Sequence, residues 1–383
     1  MAVVAAIVLG TYGVSVVGAS SAKPVATIHI MGTSTFTGVN SPYPETEAAM
    51  YAAVSQINAT GGIRGHKLAI TFCDDQGNPN IAQSCAQSAV ANKDVAVISP
   101  MDNQTTSEIP ILQKAHIAFV GDITQTALDA TSPVSFPISA GGYNLNGAVG
   151  LIAKKLNCTN VGAVIIQAPN ITTTIEASIK SSLAAVGITY SGAIYAPTSD
   201  TNFTSAVAAI EQQGADCVTT AIDEPQTTAF LAAMQQSGST MKIIQPAATL
   251  ASLDSLAGVA NGAYVYSGSR LPTDPNINAA INSLKKFAPG TAINAPSLEA
   301  WSAVRIVAAA MKKVRGVYTA ATVLSAMNHL TAVTTMNVYP PYTTSRPNKI
   351  KGQTRVFNPD IIIYQVEGTK FKAVSSFLPI PGV

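Results

Sequence analysis

The feature that most constrains the fold is an alternation that starts near residue 25 and continues almost to residue 330. Short β-rich runs are each followed by a helical window. The first strand candidates are Ala26–Met31, Lys67–Phe72, Val95–Ser99 and Ile117–Gly121. A second series comprises Gly162–Ile166, Thr189–Tyr195, Cys217–Ile222, Lys242–Gln245 and Ala263–Tyr266. These runs are rich in Val, Ile, Tyr and Thr and are bounded by Gly, Pro, Asn or Asp, the punctuation of strands. The helical windows begin with Glu45–Asn58, where Met50, Val54 and Ile57 share a face, and end with Ser297–Val314 and Ala320–Leu330. Strands separated by helices of this length require crossover connections, hence parallel sheets covered by helices on both faces: an α/β chain. Ser132–Gly142 is extended and punctuated by Pro and Gly, the kind of stretch where one lobe hands over to another. Past Val333 the pattern breaks into short pieces with prolines at 340, 341, 347 and 359. Ile361–Glu367 and Lys370–Ser376 then flank Gly368-Thr369, a hairpin signal.

Composition narrows the function classes. In 383 residues, 47% are hydrophobic and only 11% are charged, against about 25% in an average soluble protein. The net charge is +2 with no Lys/Arg cluster, so the electrostatic footprint of a nucleic-acid binder is missing. Residues 1–22 carry no charged side chain and end in small residues, which reads as a secretory signal peptide with cleavage after Ala22. An uncleaved anchor is the alternative, and the usual basic residue near Met1 is missing. Past residue 22 no segment is long and apolar enough to span a bilayer. Cys73, Cys85, Cys158 and Cys217 allow three pairings, and an exported chain favours disulfides. None of them has metal-ligand spacing, so no metal site is expected.

Catalytic signatures are missing. The sequence has no GxGxxG, Walker A, HExxH or GxSxG motif in the mature chain, and its four His residues (29, 66, 116 and 329) are scattered. His29 reads as a sheet residue. The acid pairs Asp74-Asp75 and Asp223-Glu224 each follow a strand and precede a helical window, where acids cap and complement a helix N-terminus. The expectation is no enzyme and no cofactor.

One run is specific. A helix ends in Ile57-Asn58-Ala59-Thr60-Gly61-Gly62-Ile63-Arg64-Gly65, a strand follows, and then comes Asp74-Asp75-Gln76-Gly77-Asn78-Pro79. Physically, Gly61-Gly62 stop the helix with residues that tolerate positive φ. Asn78 caps the next helix, with Pro79 at its first position. The order and spacing resemble those of the substrate-binding proteins of branched-chain amino acid and amide ABC transporters. The resemblance extends over roughly residues 25–376. It implies a type I periplasmic-binding fold: two doubly wound parallel-sheet lobes joined by three crossovers that close on a ligand like a hinge. The crossovers are expected near Ser139–Gly142, Pro246–Leu250 and Thr334–Asn337. The first lobe would comprise 24–140 and 249–334, and the second 141–248 and 335–383.

Ligands in open α/β sheets bind beyond the C-terminal strand ends, which makes the loops after the strands the candidate site. In the first lobe these offer Phe36 and Tyr43, then Asp102 and Asn103, then Thr124 and Gln125. The resemblance places Tyr43 where the family has an aromatic lid. It places Asp102 or Asn103 where the family has a hydroxyl for the ligand's carboxylate. In the second lobe the loops offer Asn170, Asp223 and Glu224. Pro246-Ala247-Ala248 lacks the acid that family members use for an α-ammonium, a role Asp223 would take over. Asp102 and Asp223 would then line the cleft with carboxylates and favour a cationic ligand or a neutral one bearing hydroxyl or amide groups. The doubly wound order also makes the strands at Cys158 and Cys217 neighbours and folds the helix carrying Cys85 back towards Cys73, predicting disulfides Cys73–Cys85 and Cys158–Cys217. The implied function is capture of a small polar metabolite outside the cytoplasmic membrane, in the periplasm or on its outer face, by a monomer that delivers it to ABC permease subunits. A sensor of the same fold acting on a regulator or receptor is the alternative. A secreted hydrolase would need a nucleophile–base pair that the sequence does not offer.

Overall fold

A computed structural model describes Met1 and residues 26–38, 42–121, 124, 126–168, 171–247, 258–346, 350 and 352–380. Apart from Met1, the expected signal segment lies outside the described residues, as do Gln125 and Asn170. Among the described residues no helix is long and apolar enough to cross a membrane.

The first series of elements is β1 (Ile28–Ser34), α1 (Pro44–Ala59), β2 (Leu68–Asp74), α2 (Pro79–Ala91), β3 (Ala96–Ile98), α3 (Thr105–Lys114), β4 (Ala118–Val120), α4 (Ala127–Thr131) and β5 (Ser135–Phe136). The second is α5 (Gly141–Leu145), α6 (Ala148–Lys155), β6 (Asn160–Ile166), α7 (Ile171–Ala185), β7 (Thr189–Ala196), α8 (Thr204–Gln212), β8 (Cys217–Ala221), α9 (Glu224–Ser237), β9 (Lys242–Pro246) and β10 (Tyr264–Ser267). The chain then forms α10 (Asn278–Phe287), α11 (Ala295–Lys313) and α12 (Ala320–Met327), and ends in β11 (Asp360–Glu367), β12 (Lys370–Ala373) and β13 (Leu378–Pro379).

Two sheets result, as the alternation predicts. The five-stranded sheet has the order β2-β1-β3-β4-β5, all parallel. The eight-stranded sheet runs β12-β11-β10-β9-β8-β6-β7, with β13 paired to β11. Its core strands are parallel, and β11 and β12 are antiparallel about Gly368-Thr369, where the hairpin was expected. Both faces of the first sheet are covered. α1, α10, α11 and α12 build one core around the fully buried Trp301, while α2 and α3 cover the other face.

The local signals fold as read. Gly61 and Gly62 end α1 with φ of 97° and 70°, and a β-carbon on Gly62 would lie 2.1 Å from the His66 carbonyl oxygen. Asn78 caps α2, its side chain accepting from the Asn80 N–H at 2.9 Å. Both disulfides form as predicted, with Cα–Cα distances of 5.7 Å for Cys73–Cys85 and 5.9 Å for Cys158–Cys217. The second joins neighbouring strands, since Val161 on β6 pairs in register with Cys217 on β8.

The lobe boundaries differ from expectation in two places. Residues 249–334 were assigned to the first lobe, yet Tyr264–Ser267 pairs with β9 and β11 in the second sheet. The expected crossover at Pro246–Leu250 falls largely outside the described residues, and the chain leaves the second sheet after Ser267 instead. Residues 335–383 were assigned to the second lobe, yet Val338, Tyr339 and Tyr342 are buried in the core of the first. Arg355 continues that attachment. Its guanidinium lies 4.3 Å from the Phe136 ring centre and 4.7 Å from that of Phe357, and it donates to the Ser135 carbonyl at 2.9 Å. The third crossing therefore comes at Asn358, whose side chain donates to the Ile138 carbonyl at 3.0 Å. The crossings sit side by side, because a β-carbon on Gly268 would come within 3.3 Å of the Ser139 β-carbon.

Candidate ligand cleft

Parallel strands place all their C-terminal ends on one edge of a sheet, together with the N-termini of the helices that follow. In the first lobe α1 and α11 lie alongside each other in the same direction. Asn294, the cap of α11, donates to Glu45 at 2.8 Å, and Arg305 donates to Gln56 at 2.7 Å, eleven residues further along each helix. Both helices therefore begin at the cleft edge, where the Tyr43 N–H donates to the Thr35 carbonyl beyond β1 at 2.8 Å.

Behind this edge lies a buried acidic cluster. Thr35 donates to Asp75 at 2.7 Å, Thr33 to Glu108 at 3.2 Å and Ser99 to Asp102 at 2.7 Å. Burial, and then the charge of Asp102, push the Asp75 carboxyl up to about 6 against the pull of the Gly77 N–H and the Thr35 hydroxyl. Glu108 is pushed well above the usual carboxylate range, first by burial and then by Asp102 and Asp75. Carboxyls packed this closely in low dielectric cannot all ionise, so the cluster retains protons.

These contacts revise several assignments. Asp102 was expected to face the cleft, but it is fully buried and holds the start of α3 through the Gln104 N–H at 2.6 Å. Its neighbour Asn103 is exposed. Phe36 was expected to touch ligand but is 5% exposed and packs edge-on against Phe72, 6.0 Å away, in the core. Asp74 and Asp75 were read as caps for α2. Instead Asp74 takes the N–H groups of Phe36, Thr37 and Gln76 and the Thr37 hydroxyl, and so fixes the loop after β1. Thr124 is buried against Gly141, whose φ of 76° and whose β-position 2.4 Å from the Thr124 carbonyl oxygen admit only glycine at this crossing.

The second lobe presents a more open edge. An open groove of about 680 Å³ runs between the loops after β6 and β7, lined by Gln167, Ala168, Thr172, Thr173, Tyr195, Pro197 and Thr198. Asp223 stands at the cap position of α9, but its side chain makes no capping bond. The backbone and Pro225 begin the helix, leaving the carboxylate exposed; Glu224 is exposed beside it. Tyr43 links the two edges. Its hydroxyl is pushed up first by burial, then by Glu45, by Asp223 of the opposite lobe and by Glu299. Of the second-lobe candidates, Asp223 is the one whose charge is felt at the Tyr43 hydroxyl. Among the buried polar groups of the first lobe, sequence reasoning did not single out Glu299 on α11, Tyr339 or Glu108; for the two acids the available signal was that each is the single acid of its helical window.

Among the described residues the one grouping with metal-ligand spacing is Cys158, Asp216 and Cys217. Both sulfurs are committed to the disulfide, and Asp216 accepts from Thr159 and Asn160. The group offers no open ligand set.

Solved structures share this architecture. A substrate-binding periplasmic protein from Ralstonia solanacearum superposes with a TM-score of 0.74 at 14% identity, covering 90% of this chain and 99% of its own. A solute-binding protein of an ABC transporter from R. palustris, in complex with 4-hydroxybenzoate, gives 0.73 at 18%, covering 92% and 96%. A branched-chain amino acid transporter substrate-binding protein from Streptococcus pneumoniae, in complex with isoleucine, gives 0.72 at 16%, covering 91% and 100%. A search of curated proteins returns no match. The sequence pattern of the periplasmic binding protein family matches residues 27–370. With that match over both lobes and the three crossings, the chain belongs to this family of non-enzymatic solute-binding proteins.

Proposed function

We propose that the protein captures a small polar metabolite, an amino acid, amide or related compound, between its lobes and delivers it to the permease subunits of an ABC transporter. It works as a monomer outside the cytoplasmic membrane, in the periplasm or on the outer face. The observation that carries this reading is the family match across both sheets; the charge of Asp223 in the second lobe, felt at the Tyr43 hydroxyl of the first, supports a site to which both lobes contribute. Neighbours of this fold hold isoleucine and 4-hydroxybenzoate, which supports a solute of similar size. The Asp223 carboxylate favours a ligand with hydrogen-bond donors facing the second lobe. A thermal-shift screen of amino acids, amides, amines, polyols and aromatic acids tests the reading. Ligand at 100-fold above its dissociation constant stabilises by about 2.7 kcal/mol, and the radius of gyration should fall as the lobes close. A screen without a hit, or a hit that leaves the radius unchanged, would count against capture between lobes.

A further inference from the structure

We propose that the end of the first lobe remote from the cleft is an electropositive surface that rests on the anionic headgroups of a phospholipid bilayer. The inference goes beyond solute capture and does not depend on it. The parallel strands of the first sheet gather their N-terminal ends at this pole, with the C-terminal ends of the helices that precede them. Lys67 stands just before β2, and its carbonyl accepts from the Ile28 N–H at the start of β1 at 2.8 Å. Lys93 stands just before β3, where the Val95 N–H donates to the His29 carbonyl at 3.0 Å. Lys114 ends α3, ahead of β4. α11 begins at the cleft edge and ends here with Lys312 and Lys313, followed by Arg315. Arg64 pins that end by donating to the Val314 carbonyl at 2.6 Å, and His66 meets Tyr318 edge-on at 5.0 Å.

These seven cations are scattered through the sequence, and all are exposed. The segments that carry them, 55–68, 84–96, 110–118 and 308–332, contain a single acid, Asp94, and it is buried. The chain has 22 Lys and Arg against 20 Asp and Glu. Seven cations and one acid here leave fifteen cations and nineteen acids elsewhere, so a pole of +6 opposes a remainder of −4. Only Arg64 and Lys313 are engaged by the fold, on the Val314 and His329 carbonyls. The other five side chains have no partner among the described residues, and none of the three salt bridges found there lies on this pole. Cations complement helix C-termini, but Lys67 and Lys93 lie outside the helices, and in the second lobe α7, α8 and α9 end without a basic residue. The matching pole of the second lobe mixes Lys154, Lys155 and Lys242 with Glu211 and Asp216, and two of those lysines donate to the Val374 and Leu156 carbonyls. The occupant follows from where the chain enters the fold. β1 starts at this pole, and residues 1–22 ahead of it include an apolar stretch and no charged side chain. Residues 23–27 join the two and reach at most about 18 Å. As a signal segment or as an anchor, residues 1–22 would engage the bilayer and bring this pole to its surface. Anionic headgroups supply the charge that the pole lacks, and the cleft, at the other edge of the lobe, stays open to solute.

The test is flotation of the full chain with two kinds of vesicle, phosphatidylcholine alone and phosphatidylcholine mixed equally with phosphatidylglycerol. The protein should float with the mixed vesicles only, and less as salt rises. Each Lys or Arg near an anionic surface strengthens binding about fivefold. Lys67→Gln combined with Lys93→Gln and Lys312→Gln should therefore weaken it by about 100-fold, and Lys93→Gln alone by about fivefold. The same loss of charge at the matching second-lobe pole, Lys154→Gln with Lys155→Gln and Lys242→Gln, lies beyond screening distance of the bilayer and should stay within about twofold of wild type. The inference is overturned if the two kinds of vesicle bind alike, which would assign attachment to residues 1–22 alone. It is overturned equally if the two triple variants lose affinity alike, which would make the effect one of net charge, or if the first-lobe variant floats as the wild type does. It also falls if the protein floats with neither vesicle; retention on heparin in that case would identify a soluble polyanion as the occupant.

Discussion

The two lobes share a topology but treat their carboxylates in opposite ways. In the first lobe Asp75, Asp94, Asp102, Glu108 and Glu299 are buried, and the carboxyls of Asp75, Asp94, Glu108 and Glu299 are raised. In the second, Asp216 is held low by backbone and hydroxyl donors of Thr159 and Asn160, and Glu176 by Lys180, Tyr195 and Tyr190, both against a smaller burial penalty. Asp223 remains exposed. The first lobe is thus a proton-holding scaffold whose edge is fixed by internal hydrogen bonds, whereas in the second Asp216 and Glu176 stay ionised on their donors and Asp223 stays in water. In the proposed closure, Asp223 would come down onto an edge already fixed by internal hydrogen bonds.

The cross-links should separate the lobes most. The Cys73–Cys85 bridge closes a separation of 12 residues and Cys158–Cys217 one of 59. In the chain-entropy model these correspond to about 3 and about 4 kcal/mol. Cys158→Ser with Cys217→Ser should therefore lower stability in denaturant more than the Cys73/Cys85 double serine variant. Equal losses would mean that burial of the sulfurs, not loop closure, sets the cost.

Acidity should separate them next. For Asp75 and Asp94 the folded carboxyls lie near about 6 and for Glu299 near about 8, while unfolded carboxyls titrate near ~4. The native state then binds more protons than the unfolded chain between those values, so stability falls as pH rises through the window. From pH 5 to pH 8 the first lobe should lose about 3 kcal/mol in all, once screening and coupling are discounted. Asp216 and Glu176 have the opposite sign, so their contribution holds above the ordinary carboxylate range and fades only below it. Hydrogen exchange resolved by lobe reads this directly: amides of β1, β3 and β4 should open more readily at pH 8 than at pH 5, with those of β6 and β8 little changed. A uniform response across both lobes would erase the contrast.

What the sequence made legible follows the same division between local and distant causes. Gly61-Gly62 and Asn78-Pro79 act through neighbours within a few residues, and each behaves as read. The short strand β5 was hidden because two residues carry no periodicity. The membership of β10 in the second sheet was hidden because it depends on β9 and β11, and β11 lies about a hundred residues away. Phe36 and Asp102 were expected to face a ligand, and both side chains turn inward instead. A loop residue's direction depends on partners such as Phe72 and Ser99 that only the folded chain supplies. The third crossing was expected at Thr334–Asn337 from the family resemblance, while Arg355 and Tyr342, packed on Phe136 and on the Pro137 carbonyl, carry the chain onward along the first lobe.

Ligand affinity tests the committed against the uncommitted carboxylate. Asp223 makes no side-chain capping bond and is exposed, so Asp223→Ala should leave stability within about 0.5 kcal/mol of wild type. Loss of a charge-assisted hydrogen bond to the bound solute, worth about 1.5–3 kcal/mol, should weaken binding by about 10- to 150-fold. Unchanged affinity would move the second-lobe contact away from α9.

The smallest effect is expected from the acid that looked most functional. Asp102 accepts from Ser99 and from the Gln104 N–H, and its charge opposes ionisation of Asp75 and Glu108. In Asp102→Asn the carboxamide oxygen still accepts from Gln104, and the Ser99 hydroxyl can rotate to accept from the new amide, so both bonds survive. The repulsion does not, which favours the variant at pH 8, where its buried neighbours are under most pressure to ionise. At pH 5 the neighbours hold their protons and the gain should shrink. The net change in stability should stay within about 1 kcal/mol, positive at the higher pH, with solute affinity altered less than about twofold. A tenfold loss of affinity in this variant, with the melting temperature intact, would return Asp102 to the cleft and end the contrast between a sealed first edge and an open second one.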